Sequence, residues 1–172
     1  QVGKGEWLVV EADESDGSII QYHPAIGLLL NIDKDHKEIK ELIGLFSAFR
    51  DHSSTFIVNQ GHPLCRPFSR DVSMDFSTDT ALPAGYQSTG FHQKGLQISF
   101  EVSGTAFELQ TPGRHNMENA LAAIAVTHQL GVPLPLAADA LKHYEGIYRR
   151  HQVIGKHEGV WLIDDYAHNP AK

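Results

Sequence analysis

Two side chains that can bind a divalent cation follow predicted strands near the start of the chain. Glu11 comes after the apolar run 7–10, and His36 follows the apolar run 25–31. Ligands of open α/β sheets gather at the carboxyl ends of parallel strands, so the two side chains could hold one ion. A carboxylate suits Mg²⁺, whereas imidazole suits Mn²⁺ better. The alternative, which the surrounding run of charges favours, is that Glu11 lies in a solvated acidic loop and His36 at a helix start.

The most informative stretch is residues 111–119, where a glycine-containing turn leads into a predicted helix. Asn116 stands where an N-cap belongs, and Asn119 lies three residues further on, hence on the same helical face. An amide offers a donor and an acceptor side by side, which matches the N6 and N7 edge of adenine. The alternative for Asn116 is a helix cap worth about 1 kcal/mol. Asn119 is harder to explain in this way, because an Asn in an apolar helix needs a partner.

Two further polar groups follow predicted elements near the end of the chain. Arg150, in the pair 149–150, could stabilise charge on a transferring phosphoryl group, although adjacent arginines are more often an exposed basic pair. Asp165 follows a predicted strand, where its carboxylate could bind ribose hydroxyls or belong to a polar linker. The sequence contains no phosphate-binding loop of the G-x-x-x-x-G-K-[ST] type. Cys65 has no His and Asp arrangement around it in the sequence, and a lone cysteine is more often inert than catalytic.

Predicted strands and a predicted helix alternate in the first part of the chain, and they must position these residues. Apolar runs at 7–10, 25–31 and 55–59 predict strands, and apolar side chains repeat at helical spacing over 38–49. This β–α–β order predicts an α/β fold with a mainly parallel sheet flanked by helices. Alternation over 96–109 predicts a small antiparallel hairpin as well.

The last third of the chain adds helices and two strands. Helices are predicted at about 117–130 and 136–144, each ending near a glycine. The first of them is apolar all round over 120–126, which predicts deep burial. Strands are predicted near 152–156 and 160–163.

Composition sets wider limits on function. A chain of 172 residues, 41% of them hydrophobic, suits one domain with a sizeable core. The net charge of −7 makes nucleic acid a poor partner, but it permits a nucleotide whose charge a metal ion balances. A single cysteine permits no intramolecular disulfide, and no apolar run reaches the roughly 20 residues that cross a bilayer. We therefore predict a cytoplasmic chain without a membrane partner.

Taken together, the order and spacing of these blocks resemble the Mur ligase family. The match spans essentially the whole chain and comprises the blocks Glu-Ala-Asp-Glu-Ser-Asp at 11–16, Asn-Ile-Asp-Lys-Asp-His at 31–36, Gly-Arg-His-Asn-x-x-Asn-Ala at 113–120, Arg-Arg at 149–150 and Asp-Asp-Tyr-Ala-His-Asn-Pro at 164–170. The chain is most similar to the branch that joins L-alanine to UDP-N-acetylmuramate. The branch that attaches recycled murein tripeptide to the same sugar nucleotide is close behind.

The resemblance implies an ATP-dependent amide ligation in peptidoglycan synthesis or recycling. ATP would phosphorylate a substrate carboxylate, and an amine would attack the acyl phosphate to give an amide, ADP and phosphate. Residues 1–164 would be the central ATP-binding domain without its phosphate-binding loop, and 165–172 would begin the linker to a third domain. UDP-N-acetylmuramate and the amino acid or peptide would bind mainly to other domains, so this piece alone would be inactive.

The resemblance also implies a role for each candidate residue. The expected roles are metal ligation by Glu11 and His36, adenine contacts by Asn116 and Asn119, a place near the γ-phosphate for Arg150 and a ribose contact by Asp165, with Arg150 and His36 serving catalysis. The alternatives are another amino-acid ligase of the same superfamily or a non-catalytic nucleotide-binding module. Lys37 and Glu38, which stand where the family usually has Met-Asp, would be a sign of the non-catalytic module.

Overall fold

The computed structural model describes residues 4–34, 37–150 and 152–166. The order of elements in these ranges is a 3-10 helix Ser18–Gln21, β1 Ile26–Leu29, α1 Ile39–His52, β2 Thr55–Val58, a 3-10 helix Arg66–Phe68, β3 Phe76–Ser77, β4 Tyr86–Lys94, β5 Gln97–Val102, β6 Thr105–Leu109, α2 Arg114–Gln129, α3 Leu134–Lys142, β7 Gln152–His157 and β8 Val160–Asp164. In this part of the chain, no helix has both the length and the apolar character that a membrane span requires.

A β–α–β unit opens the ordered part of the fold, as the sequence predicts. Strands β1 and β2 pair in parallel, with Ile26 opposite Thr55 and Leu29 opposite Val58. The crossover helix α1 buries Leu42, Phe46 and Phe49, which lie about one helical turn apart and so form one apolar stripe. Each such side chain, when fully buried, stabilises the fold by about 1.5–3 kcal/mol.

Beyond this unit the sheet turns from parallel to antiparallel. A parallel bridge between Asn59 and Phe76 joins the end of β2 to β3, and β3 pairs in parallel with β4. Strands β4, β5 and β6 then form an antiparallel meander. The predicted α/β class and the predicted hairpin, here β5 and β6, are both confirmed. The sequence analysis missed β4, because residues 89–94 are polar or glycine at nearly every position and show no alternation.

Helices cover both faces of the sheet. On β2, Ile57 points into one apolar core, whereas Phe56 and Val58 point into the other. The first core packs α2 and α3 against the sheet, and its large, almost fully buried members include Phe76, Ile98, Phe100, Phe107, Leu109, Leu121 and Ile124. The second core packs α1 and the 3-10 helix Ser18–Gln21 against the opposite face. Most of 120–126 on α2 is buried as predicted, and Ala123 is exposed.

The prediction of a strand at residues 7–10 is wrong for the described chain. These residues are irregular, and the exposed fractions of Leu8 and Val9 are 86% and 93%. A strand is stable only when its backbone N–H and C=O groups pair with a neighbour, and no described segment pairs with this run. Near the other end, the strands β7 and β8 form as predicted and pair with each other, while Val160 and Leu162 remain largely exposed.

We expect the substitution Gly85→Ala to destabilise the fold, because Gly85 lies against the backbone of the turn before β4. A Cβ atom at this position would lie 1.7 Å from the carbonyl oxygen of Ser73, so the backbone would have to move. The free energy of unfolding in urea should fall by about 1–3 kcal/mol or more.

The matched control is Gly44→Ala in α1, where a Cβ atom would have no neighbour within 4 Å. This change should raise the free energy of unfolding by about 0.5–1 kcal/mol, because alanine favours the helix. Equal effects of the two substitutions would contradict the close contact at Gly85.

Candidate functional site

A polar cleft of about 110 Å³ opens at the carboxyl ends of β1 and β2. Its walls come from the residues that follow the two strands and from the second turn of α2. The lining residues are Leu30, Asn31, Asn59, Gly61, His62, Glu118 and Asn119. This is the edge at which open α/β sheets bind ligands.

The end of β2 is held in place by the buried carboxyl group of Asp75. One of its oxygens accepts a hydrogen bond from the backbone N–H of Val58 at 2.9 Å. The other accepts from the side-chain amide of Gln60 at 2.7 Å and from the hydroxyl of Ser69. Three donors therefore satisfy a carboxyl group that is wholly inaccessible to solvent. The loop that carries one wall of the cleft is fixed by this network.

A hydrogen bond across the cleft joins the sheet to α2. The side-chain amide of Asn59 donates to Oε1 of Glu118 at 2.7 Å, and its oxygen accepts from the backbone N–H of Gly61 at 2.8 Å. Hydrogen bonds to a carboxylate are stronger than those between neutral groups. A Cβ atom at Gly61 would lie 2.9 Å from the Asn59 oxygen, so glycine leaves this arrangement undisturbed.

The two asparagines of α2 have different surroundings in the structure. Asn119 lines the cleft, whereas Asn116 is not among the lining residues and donates its amide to the carbonyl of Pro112 at 2.7 Å. The prediction that Asn116 caps the helix is wrong, because α2 begins at Arg114 and its N-cap is Gly113. Gly113 has φ 99°, a backbone conformation that favours glycine, and this allows the helix to begin before Asn116.

The structure describes one of the two predicted metal ligands. Glu11 is exposed in an irregular segment, and His36 lies outside the described residues, so their convergence stays a prediction. Among the residues that the structure describes, no group of three or more His, Cys, Asp or Glu side chains could hold a metal ion.

Both side chains of the arginine pair are exposed, and they differ in their contacts. The guanidinium of Arg149 lies 4.8 Å from the centre of the Tyr166 ring, and its Nε is 3.6 Å from a carboxylate oxygen of Asp164. Arg150 is exposed, and none of the ion pairs found within the described ranges involves it. Asp165 follows β8 directly, as predicted, and is half-buried. Neither Arg150 nor Asp165 lines the cleft.

Beside the cleft lies a thiol that is held in its neutral form. Nε2 of His62 lies 4.0 Å from a carboxylate oxygen of Asp33, and its Nδ1 lies 3.5 Å from the sulfur of Cys65. Burial raises the pKa of Cys65 to about 12, with contributions from the negative charges of Asp33 and Glu118. The sequence-based view of Cys65 as inert agrees with this environment.

Three residues of the cleft wall, Asn59, His62 and Glu118, were not predicted as site residues from the sequence. Asn59 and His62 follow the strand predicted at 55–59, so the rule applied to Glu11 and His36 could have found them. No local signal marks Glu118, because its partner Asn59 lies 59 residues away in the sequence.

Chemical labelling should show that Cys65 is unreactive in the folded protein. A thiol with a pKa of about 12 is almost fully protonated at pH 8, and only the thiolate attacks an alkylating reagent. The sequence has one cysteine, so mass spectrometry of iodoacetamide-treated protein reports on Cys65 alone. The labelling rate at pH 8 should rise by at least about 100-fold when urea unfolds the protein, because the thiol then titrates near 8.5. Rapid labelling of the folded protein would contradict the assigned environment.

Two comparisons of sequence agree on one family. Residues 3–127 match the family model described as the Mur ligase middle domain. The UDP-N-acetylmuramate–L-alanine ligase of Acaryochloris marina is 35% identical over 100% of this chain and 38% of its own length. The enzyme of the same name from Sorangium cellulosum is 34% identical over 100% of this chain and 39% of its own length. The chain thus spans less than half the length of these relatives.

Solved structures of similar fold agree with the sequence comparisons. The UDP-N-acetylmuramate–alanine ligase of Thermotoga maritima gives a TM-score of 0.79 at 24% identity, over 92% of this chain and 38% of that one. A D-alanyl-D-alanyl-adding ligase of Acinetobacter baumannii gives 0.74 at 23% identity, over 92% and 37%. At these identities the two structures establish the fold alone. With the family model covering most of its length, the chain belongs to the Mur ligase family.

Proposed function

We propose that this chain is part of the central, ATP-binding domain of a UDP-N-acetylmuramate–L-alanine ligase. The observation that carries the proposal is the polar cleft at the carboxyl ends of β1 and β2, with Asn119 of α2 in its wall. The domain would comprise residues 1–164, and 165–172 would begin the linker to the next domain. A cytoplasmic location belongs to the same proposal.

The proposed reaction forms an amide through an acyl phosphate. The carboxylate of UDP-N-acetylmuramate attacks the γ-phosphorus of ATP, and the bond to the bridging oxygen breaks to release ADP. The amine of L-alanine then attacks the acyl carbon, loses a proton, and expels inorganic phosphate. The described residues contribute binding and orientation of the nucleotide, because positioning dominates catalysis of phosphoryl transfer.

Within this proposal each candidate side chain has one task. The Asn119 amide donates to N7 of adenine and accepts one hydrogen of the N6 amine. Asn116 donates one of its two amide hydrogens to Pro112, and it offers its oxygen and its second amide hydrogen to the base. Asp165 binds the ribose and Arg150 lies near the γ-phosphate. Metal ligation by Glu11 and His36 belongs to the proposal as well.

The choice of L-alanine is supported by the names of the curated relatives. The alternative substrate is the murein tripeptide, and the alternative function is nucleotide binding without catalysis. An assay of ADP release by the full-length protein separates the three. We expect release to require ATP, UDP-N-acetylmuramate and L-alanine together. Release that requires the tripeptide would indicate the recycling ligase, and ATP binding without release would indicate a non-catalytic module.

In the same assay, Asn119→Asp should raise the KM for ATP by about tenfold, equivalent to about 1.4 kcal/mol. A carboxylate accepts hydrogen bonds but cannot donate the one that N7 needs. The melting temperature should change little, because Asn119 is exposed on α2.

The matched control is Gln21→Glu, the same amide-to-carboxylate change at an exposed position of the 3-10 helix that packs against α1. It should leave the KM for ATP unchanged. If Asn119→Asp keeps the wild-type KM, or loses stability and ATP affinity in parallel, then the residue is structural.

A further inference from the structure

Glu118 presents one carboxylate oxygen to the cleft in a fixed orientation. Its Oε1 accepts the hydrogen bond from Asn59, which is only 4% exposed and whose own oxygen is bound to the N–H of Gly61. Within the described ranges, no ion pair involves Glu118, and its second oxygen has no hydrogen-bond partner. Because Glu118 lines the cleft beside Asn119, this oxygen is available to a ligand.

The chemistry of this oxygen limits which part of a nucleotide can approach it. An ionised carboxylate accepts hydrogen bonds and donates none. A phosphate group also carries only acceptors and negative charge, so it is repelled from this wall of the cleft. The groups of a nucleotide that carry donors are the amino group of the base and the ribose hydroxyls. The neighbouring Asn119, on the proposed function, binds the base and thereby favours the amino group.

The number of hydrogens on the adenine amine favours the amino group over the ribose hydroxyls as the partner of Glu118. The N6 amine carries two hydrogens, and the Asn119 oxygen accepts only one of them while its NH₂ donates to N7. The second hydrogen needs an acceptor once the base is enclosed, because a buried donor without a hydrogen-bond partner is unfavourable. Glu118, the preceding residue on the same helix, supplies an acceptor from the same wall of the cleft.

We propose that Glu118 is the residue that selects adenine, by accepting the second hydrogen of the N6 amine. Guanine carries a carbonyl oxygen at the corresponding position, and this oxygen would face the carboxylate as acceptor against acceptor. This inference rests on the proposed binding of ATP. The inference assigns to Glu118 the discrimination between purine bases, through a carboxylate that can only accept hydrogen bonds.

The test compares ATP with GTP in the full-length protein, by calorimetry with the wild type and with Glu118→Gln. Glutamine keeps an oxygen for the Asn59 amide and replaces the acceptor in the cleft by a donor, which suits the oxygen of guanine. The preference for ATP over GTP should fall by at least about tenfold, since the change replaces an acceptor that suits the adenine amine by a donor that suits the guanine oxygen. The control Glu101→Gln, at an exposed position of β5, should keep the wild-type preference.

A second ligand tests the wild-type protein without any substitution. Purine riboside triphosphate lacks the amino group and should bind about tenfold more weakly than ATP. Equal affinity for the two ligands would overturn the role of the amine.

The remaining outcomes separate this inference from the function on which it rests. An unchanged ATP-to-GTP ratio in Glu118→Gln, with tight ATP binding, would overturn the selection by Glu118 and leave the proposed function standing. A fall in the ratio of ATP to 2′-deoxy-ATP affinity would assign Glu118 to the ribose and overturn its role at the base. A wild-type protein that binds neither ATP nor GTP would overturn both proposals.

Discussion

The geometry of the cleft depends on one buried carboxyl group. Asp75 accepts hydrogen bonds from the last N–H of β2, from Gln60 and from Ser69, and it is inaccessible to solvent. Loss of the carboxyl group would leave the N–H of Val58 and the amide of Gln60, both in buried residues, without their acceptor, at a cost of about 1–3 kcal/mol for each. The position of Asp75 therefore decides where β2 ends and where its loop turns toward α2.

From Asp75 a chain of contacts leads to the wall of the cleft that α2 forms. The loop fixed by Asp75 carries Asn59, and Asn59 holds Glu118 of α2 by a hydrogen bond of 2.7 Å. Helix α2 is in turn packed on the sheet through Leu121 and Ile124, both almost completely buried. Asn119 is thus presented by a helix that is anchored on one side by apolar packing and on the other by a polar contact. A site on such elements is held more precisely than one on loops alone.

The spacing of apolar residues predicted the elements in which that spacing is regular. The β1–α1–β2 unit, the hairpin β5–β6 and the helix α2 all show a strong period of apolar residues. Strand β4 lacks such a period of apolar residues. It is held by its pairing with β5, which the sequence of β4 alone does not indicate. The run at 7–10 has the composition of a strand. Whether it forms one depends on a neighbouring strand that pairs with its backbone, and the apolar pattern does not specify that neighbour.

The site was predictable only in part, for a related reason. The position of Asn119 on a helix, near the carboxyl ends of parallel strands, follows from helical spacing and from the β–α–β order. The Asn59–Glu118 contact joins residues far apart in the sequence, so only the folded chain reveals it. The start of α2 depends on the backbone conformation of Gly113, whose φ is 99°. The spacing of apolar residues does not report this conformation, so it does not mark where the helix begins. The pairing of Glu11 with His36 stays a prediction.

The central claim is that ATP occupies the cleft between the end of β2 and the start of α2. Hydrogen exchange of the full-length protein, followed by mass spectrometry with and without ATP, tests it most directly. Peptides that cover residues 59–62 and 114–119 should exchange more slowly with ATP, whereas peptides from the β5–β6 hairpin should be unaffected. Slower exchange confined to other segments, with no change at 59–62 or 114–119, would contradict the assignment of this cleft as the nucleotide site.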